Sequence, residues 1–210
     1  MRRATVTGFA TSAGRIERVL TSDGDIAVGA VVIAAGPWSR ALLRELGTDV
    51  PLEVERGYGV DLPSPGVDVR FPVILEDFHI GLTPHRTGFR LSGIDELASI
   101  SAPADMRIPE RLIRAAKQVF PQLRADGAVP WMRRRPSLPD SLPVIGQAPK
   151  YENAYLNFGH AHKGLCQAAI TGKLLQELID REPTTVDIAP FAPTRFSLWP
   201  RATATAPRTA

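Results

Sequence analysis

The stretch that decides the reading is WMRRRPSLPDSLPVIG at 131–146, followed by FGHAHKGL at 158–165. The first sets an Arg-Pro step and two further prolines ahead of an apolar strand ending in Gly146. The second is a turn between Gly159 and Gly164 that opens a helix. A helix start presents unpaired N–H groups and a partial positive charge, which suits an electron-rich ligand edge; the plain alternative is a capping turn. Arg135 carries the other candidate chemistry. A planar guanidinium grips a carboxylate through two parallel hydrogen bonds, fixing its orientation as well as its charge. The alternative for Arg133, Arg134 and Arg135 is a solvated basic run.

Working outward, residues 4–21 read as two strands, ATVTGFA and RIERVLT, around the turn TSAG. A second turn, SDGD at 22–25, leads to VGAVVIAA at 28–35, a β-branched run of the kind buried on both faces in a parallel sheet. Gly36-Pro37 stops it, Ser39 is the expected N-cap of the helix RALLREL, and Gly47 closes that helix. A strand running into Ala35-Gly36 lets a ligand approach the backbone at the strand's carboxyl end, or is simply a strand-to-helix turn.

Residues 52–94 have a different texture. LEVERGYGVDL, FPVILED and GFRLSGI, separated by Pro, Gly, Asp and His, suggest an antiparallel sheet. A helix is predicted over 109–120, with Leu112, Ile113, Ala116, Val119 and Phe120 on one face and Pro121 ending it. Five prolines in 130–150 preclude regular structure throughout. AYLNF at 154–158 predicts a strand, and the following helix runs from Gly164 to Asp180 with Leu174, Leu175, Leu178 and Ile179 toward the core. The tail over 197–210 is small, polar and Pro-containing, and is expected to be disordered.

Taken together, the Arg135-Pro136 step, FGHAHKGL, VVIAAGPWS and PLEVERGYGV resemble the C-terminal signature of the D-amino-acid oxidase superfamily, closest to its D-amino-acid dehydrogenase branch. Two positions depart from the family pattern. Arg133 stands where the family's Gly-x-Arg-Pro step has Gly, and Ala161 and Lys163 replace a glycine and an apolar residue of a GHGHLG-like turn. The resemblance implies an α/β fold with an antiparallel β substrate domain over 51–130, and a Rossmann-like FAD-binding domain from 1–50 and 131–196. It implies FAD as cofactor, met by Ala35, Gly36, Trp38, Arg56, Gly57, Gly146, Gly159, His160, Gly164 and Leu165. Arg135 would hold the substrate carboxylate. Tyr58 would close the pocket over the substrate, or be a sheet aromatic.

The implied reaction is oxidative deamination of a D-amino acid or related amine acid by hydride transfer to flavin, with oxygen or an electron carrier reoxidising it. No GxGxxG turn for the FAD pyrophosphate occurs in the sequence. The FAD-binding domain is therefore expected to be incomplete, lacking its N-terminal unit, and the enzyme to need a missing N-terminal half, either an N-terminal FAD-binding partner chain or the rest of one longer gene product. The alternatives are a non-catalytic remnant or small-acid-binding module of such an enzyme, and an unrelated α+β binding module.

Composition narrows the rest. Hydrophobic residues make up 44% and charged residues 22% of the 210, as in an ordinary globular protein. No apolar run is long enough to span a bilayer and no secretory core is present, so the cytoplasm is the expected location. The net charge of +3 is mild, and the one dense basic run lacks interleaved aromatics, against nucleic-acid binding. The single cysteine, Cys166, excludes an intrachain disulfide, and its spacing from His160 and His162 fits no common zinc pattern.

Overall fold

The computed structural model describes residues 3–197. In chain order its elements are β1 (Val6–Ser12), β2 (Arg15–Thr21), β3 (Ile26–Ala27), β4 (Val31–Ile33), α1 (Ser39–Glu45), β5 (Glu53–Leu62), β6 (Val73–Leu75), β7 (Ile80–His85), β8 (Gly88–Leu97), α2 (Arg107–Val119), β9 (Val129–Ser137), β10 (Val144–Gln147), β11 (Ala154–Phe158) and α3 (Gly164–Ile179). Residues up to Leu52 and from Pro136 onward form one compact unit, and Glu53–Arg135 a second. The expected tail at 197–210 lies, but for Ser197, outside the described residues.

The first unit holds two small sheets. One is the meander β1-β2-β3 and the other has the order β10-β11-β4. In the latter, β4 runs parallel to β11 and β10 antiparallel to it. Ile33, Leu43, Leu46, Val144, Leu156 and Phe158 form the centre of its core. Polar bonding joins its pieces at one residue. The buried Asn153 accepts from Ile16 N–H at 2.8 Å, and its amide donates to the carbonyls of Ile16 at 2.8 Å and Gly29 at 3.0 Å.

Several local expectations change here. The run 28–35 yields only a three-residue strand, and Val32 is 41% exposed rather than buried on both faces. Ser39 is not an N-cap: a 3-10 turn over Gly36–Trp38 leads into α1, and Ser39 becomes its first, fully buried residue. Gly47 does close that helix, with Gly47 N–H bonded to Arg44 and Thr48 N–H to Leu43, the Schellman pattern. On α3, Leu174 and Leu175 are buried, but Leu178 is only partly so and Ile179 is exposed. Glu177 takes the buried place instead. Its carboxylate accepts from Lys173, from the Thr185 hydroxyl at 2.5 Å and from the Thr185 N–H at 2.9 Å, and these bonds hold its pKa down to about 2.

The second unit is one five-stranded sheet, order β6-β7-β8-β5-β9, with α2 packed against β5 and β8. Val60, Leu62, Ile80, Leu82 and Leu91 meet Leu112 and Ala116 of α2 in its core. The strand-rich antiparallel reading of 52–94 holds, with β7 added to the three predicted pieces. α2 starts two residues earlier than predicted, and Val119 faces solvent. β9 contains Pro130 and Pro136 yet is a strand. It lies at the sheet edge, where an N–H is dispensable.

Asn153→Ala should strip partners from one buried N–H and two carbonyls. We expect a loss of about 2–4 kcal/mol in urea denaturation, with the slope unchanged. A loss below about 0.5 kcal/mol would remove this clamp from the account of the first unit.

Candidate functional site

In the first unit, the parallel register of Ile33 against Leu156 makes the residues after β4 and after β11 emerge at one end of the sheet. Open α/β sheets hold ligands at that end. Ala35, Gly36 and Trp38 leave β4 there, and Gly159 and His160 leave β11 for α3, which begins at Gly164 and Leu165. Gly36 sits at φ +54 with open space where a Cβ would stand. Ala161 adopts φ +47, a conformation that suits glycine better.

Around this end the electrostatics favour an electron-rich ligand. α3 has no side-chain cap and no acid in its first turn, and Lys163 precedes it. His160 Nε2 is buried with no hydrogen-bond partner, and burial pushes the imidazole below its usual pKa of 6.5. Trp38 is exposed and Leu165 is 93% exposed. Gly146 lies elsewhere. It is inside β10 opposite Leu156, with Pro193 Cδ 3.6 Å from where its Cβ would be. A depression of about 460 Å³ lined by Ala13, Gly14 and residues 147–152 is at the amino end of β11, away from these groups.

In the second unit, β5 alternates sharply. Arg56, Tyr58, Val60 and Leu62 face α2 and its flanking segment, while Gly57, Gly59 and Asp61 face the other way. That other face carries no helix of the unit, and Ile74 of the same face is exposed. Its floor is glycine for a steric reason. A Cβ on Gly57 would collide with the Arg135 guanidinium, and one on Gly59 with the Trp131 indole. Arg135 therefore lies flat on β5, and its Nη1 donates to Asp95 Oδ1 at 2.5 Å. Its Nε and Nη2 hydrogens have no partner among the described residues.

Asp95 reaches this position through a β-bulge. Tyr58 pairs with Gly93, but Gly57 pairs with Asp95, so Ile94 is the extra residue and sits at φ +58. Such a conformation for a β-branched residue costs roughly 1–3 kcal/mol and marks places where geometry has been imposed. Without the bulge, Ile94 would oppose Gly57 and no carboxylate would meet Arg135. Beside this pair, Asp61 accepts two bonds from Arg90, at 2.7 and 2.9 Å, and one from Trp131 Nε1 at 3.2 Å. The Arg90 bonds pull the Asp61 pKa down. Arg90 and Arg133 both lie over the Trp131 ring, 5.2 and 5.7 Å from its centre.

Arg56 and Tyr58 stand on the covered face instead. Arg56 is 2% exposed; it donates to the carbonyls of Ala102 and Pro103 and pairs with Glu96 at 2.7 Å. Tyr58 donates to Glu96 at 2.6 Å and accepts the Asp105 N–H at 3.0 Å; burial, then the Glu96 bond, raise its pKa. With Arg134 on the Ile100 carbonyl, they tie the segment 100–105 to the sheet. Of the residues expected to touch ligand in this unit, only Gly57 and Arg135 share the open face. Sequence reading missed Asp61, Arg90, Asp95 and Trp131, which no motif marks.

The family model described as "DAO: FAD dependent oxidoreductase" matches residues 1–178, and the chain belongs to that family. A D-amino-acid oxidase of Bradyrhizobium diazoefficiens is 36% identical over 92% of this chain and 47% of its own length. A D-amino acid dehydrogenase of Xanthobacter autotrophicus is 32% identical over 92% of this chain and 47% of its own. The crystal structure of glycine oxidase from Geobacillus kaustophilus superposes with a TM-score of 0.76 at 23% identity, over 91% of this chain and 52% of that one; this shows a shared fold. The chain thus spans about half the length of the relatives it matches.

Two measurements check these placements. Gly57→Ala should cost about 1–3 kcal/mol by overpacking, and should cost under about 0.5 kcal/mol in an Arg135→Ala background. Equal costs in both backgrounds would mean that the guanidinium does not rest on this glycine. His160 should titrate below 6.5 by NMR. Its pKa is depressed in the fold, so its contribution to stability is present above 6.5 and is lost as pH falls through the folded value. A midpoint at or above 6.5 would contradict its burial.

Proposed function

We propose that this chain provides the substrate-binding arginine and one side of the cofactor site of a FAD-dependent enzyme that oxidatively deaminates a D-amino acid or related amine acid. One observation carries the reading: Arg135 is held flat on a glycine floor with two nitrogens still able to donate to a carboxylate. A guanidinium so placed fixes the substrate's orientation before reaction, which lowers the entropic part of the barrier. FAD, when bound, accepts the hydride from the substrate α-carbon.

The fit to FAD rests on this chain's own groups. The left-handed, open Gly36, the orphaned His160 Nε2 and the uncapped start of α3 with Gly164 and Leu165 suit a planar, electron-rich ligand. Ala35, Trp38 and Gly159 stand at the same sheet end and belong to this proposal. Arg56 and Tyr58 enter it as residues that position the sheet under Arg135, and Gly57 as the seat of that arginine. Gly146 enters only as a residue of β10, in the first unit's sheet.

We propose that activity needs an N-terminal FAD-binding half, whether in a partner chain or in the same longer chain. The sequence has no pyrophosphate turn, and Val32, Leu165 and Ile170 expose apolar surface that such a half would cover. No helix among the described residues is long and apolar enough to cross a membrane; we propose a cytoplasmic enzyme. The same missing turn favours the second reading, a non-catalytic small-acid-binding remnant.

Purification separates the two. The 210-residue chain alone should carry no flavin absorbance. Co-expressed with the part of the B. diazoefficiens D-amino-acid oxidase that it does not match, it should yield a yellow complex that reduces a dye with D-amino acids. Arg135→Gln should raise KM about tenfold or more. A soluble yellow complex inert to every D-amino acid would favour the remnant. Stoichiometric flavin on the chain alone would refute the need for a partner.

A further inference from the structure

Arg135 does not stand alone at the site proposed for the substrate carboxylate. Asp95 lies across the ladder from Gly57, the residue on which the guanidinium rests, and Arg135 Nη1 donates to Asp95 Oδ1. Both side chains are partly open, at 28% and 46% exposure, and an ion pair so accessible adds little to the stability of a fold. It presents a cation and an anion side by side on the face that α2 leaves uncovered. The other carboxylates of this face stand elsewhere. Asp61 accepts two bonds from Arg90 and one from Trp131. Glu55 and Glu53 point to the same side of β5, but Glu55 is two residues from Gly57, about 6.6 Å along the strand, and Glu53 is farther.

The place of Asp95 is imposed by the backbone. Ile94, inserted at φ +58, is what turns the next side chain toward Gly57, and strained residues of this kind cluster where a site demands a geometry. At neutral pH an α-amino acid is a zwitterion, its ammonium attached to the carbon that bears its carboxylate. A lone guanidinium attracts the carboxylate and repels the ammonium, so it favours a simple carboxylic acid over an amino acid. A carboxylate beside the guanidinium reverses that preference. Guanidinium, substrate carboxylate, substrate ammonium and Asp95 then form a ring of alternating charge, in which each group attracts the next. A carboxylate offers about four acceptor positions and Arg135 Nη1 uses one, so Asp95 can take a further donor alongside those it already meets.

We propose that Asp95 is a substrate-binding residue: it accepts the α-ammonium group of the amino acid whose carboxylate lies on Arg135, so that the pair selects a zwitterion. The proposal rests on the assignment of Arg135 to a substrate carboxylate and adds the recognition of the amine. Two charged contacts on the substituents of one α-carbon fix the direction of its carboxylate–amine edge. The side chain and the hydrogen are then the groups left to distinguish one amino acid from another.

Titration of the full 210-residue chain with D-alanine and with propionate at neutral pH, followed by NMR, tests this without cofactor or turnover. D-Alanine should bind at least about threefold more tightly than propionate, although it carries no net charge. Asp95→Asn keeps the size of the side chain and an acceptor for Arg135 but removes the charge. It should weaken D-alanine at least about threefold and leave propionate unchanged or tighter, because a repelling carboxylate has gone. A residue that merely steadied Arg135 would not move the two ligands apart. Glu55→Gln removes the same charge from the same face and should leave the preference for D-alanine intact. Arg135→Gln should weaken both ligands. If propionate binds as tightly as D-alanine to the unaltered chain, if Asp95→Asn affects both ligands equally or neither, or if Glu55→Gln abolishes the preference, the ammonium assignment falls while Arg135 stands. If Arg135→Gln changes neither affinity, or neither ligand binds, the carboxylate reading of Arg135 falls and takes the proposal with it.

Discussion

The bulge at Ile94 is the constraint on which the second unit's ion pairs depend. A side chain in a strand alternates faces with a period of two, so one inserted residue exchanges the faces of everything beyond it. Ile94 absorbs that insertion at φ +58. On one side of the sheet it delivers Asp95 to Arg135, and on the other it delivers Glu96 to Arg56 and Tyr58. A single strained residue thus supplies a carboxylate to each face. Two ion pairs depend on it, one of them with a guanidinium almost wholly out of water.

Glycine then decides what the open face holds. Residues with side chains at 57 and 59 would lift Arg135 and Trp131 off the strand. Bare backbone lets both lie flat, which restricts their rotamers without a surrounding cavity wall. The guanidinium is held by the floor beneath it and by Asp95 beside it. In the first unit left-handed turns at Gly36 and Gly159 end β4 and β11; Gly36 faces open space, and Gly159 makes room for the Leu138 side chain.

Family membership and side-chain placement are separate observations. The family model covers most of the chain and fixes the lineage. Side-chain placement then sorts the family-implied residues. Arg135 and Gly57 stay together on the face that carries no helix of the unit, whereas Arg56 and Tyr58 are consumed in holding the segment 100–105. A tyrosine and an arginine flanking a glycine on a strand must point away from it, which is why these neighbours in sequence part company in space.

Local pattern was enough to find most of the elements. The hairpin at 4–21, the strand at 154–158, the helices after Gly36 and Gly164 and the antiparallel texture of 52–94 follow from periodicity and turn residues, which act over a few positions. The Arg-Pro step and the glycine turn likewise announced a flavoprotein lineage. Burial and pairing were not local. Whether Val32 is covered, whether Ile179 or Glu177 turns inward, and which acid meets Arg135 depend on strands and loops distant in sequence. β9 is the sharpest case: its two prolines argue against a strand until the sheet order places it at an edge, where no neighbour asks for the missing N–H. The sequence by itself determined the elements and the lineage; only the tertiary structure decided which side chains share a face, because register is a property of pairs of strands and not of either one alone.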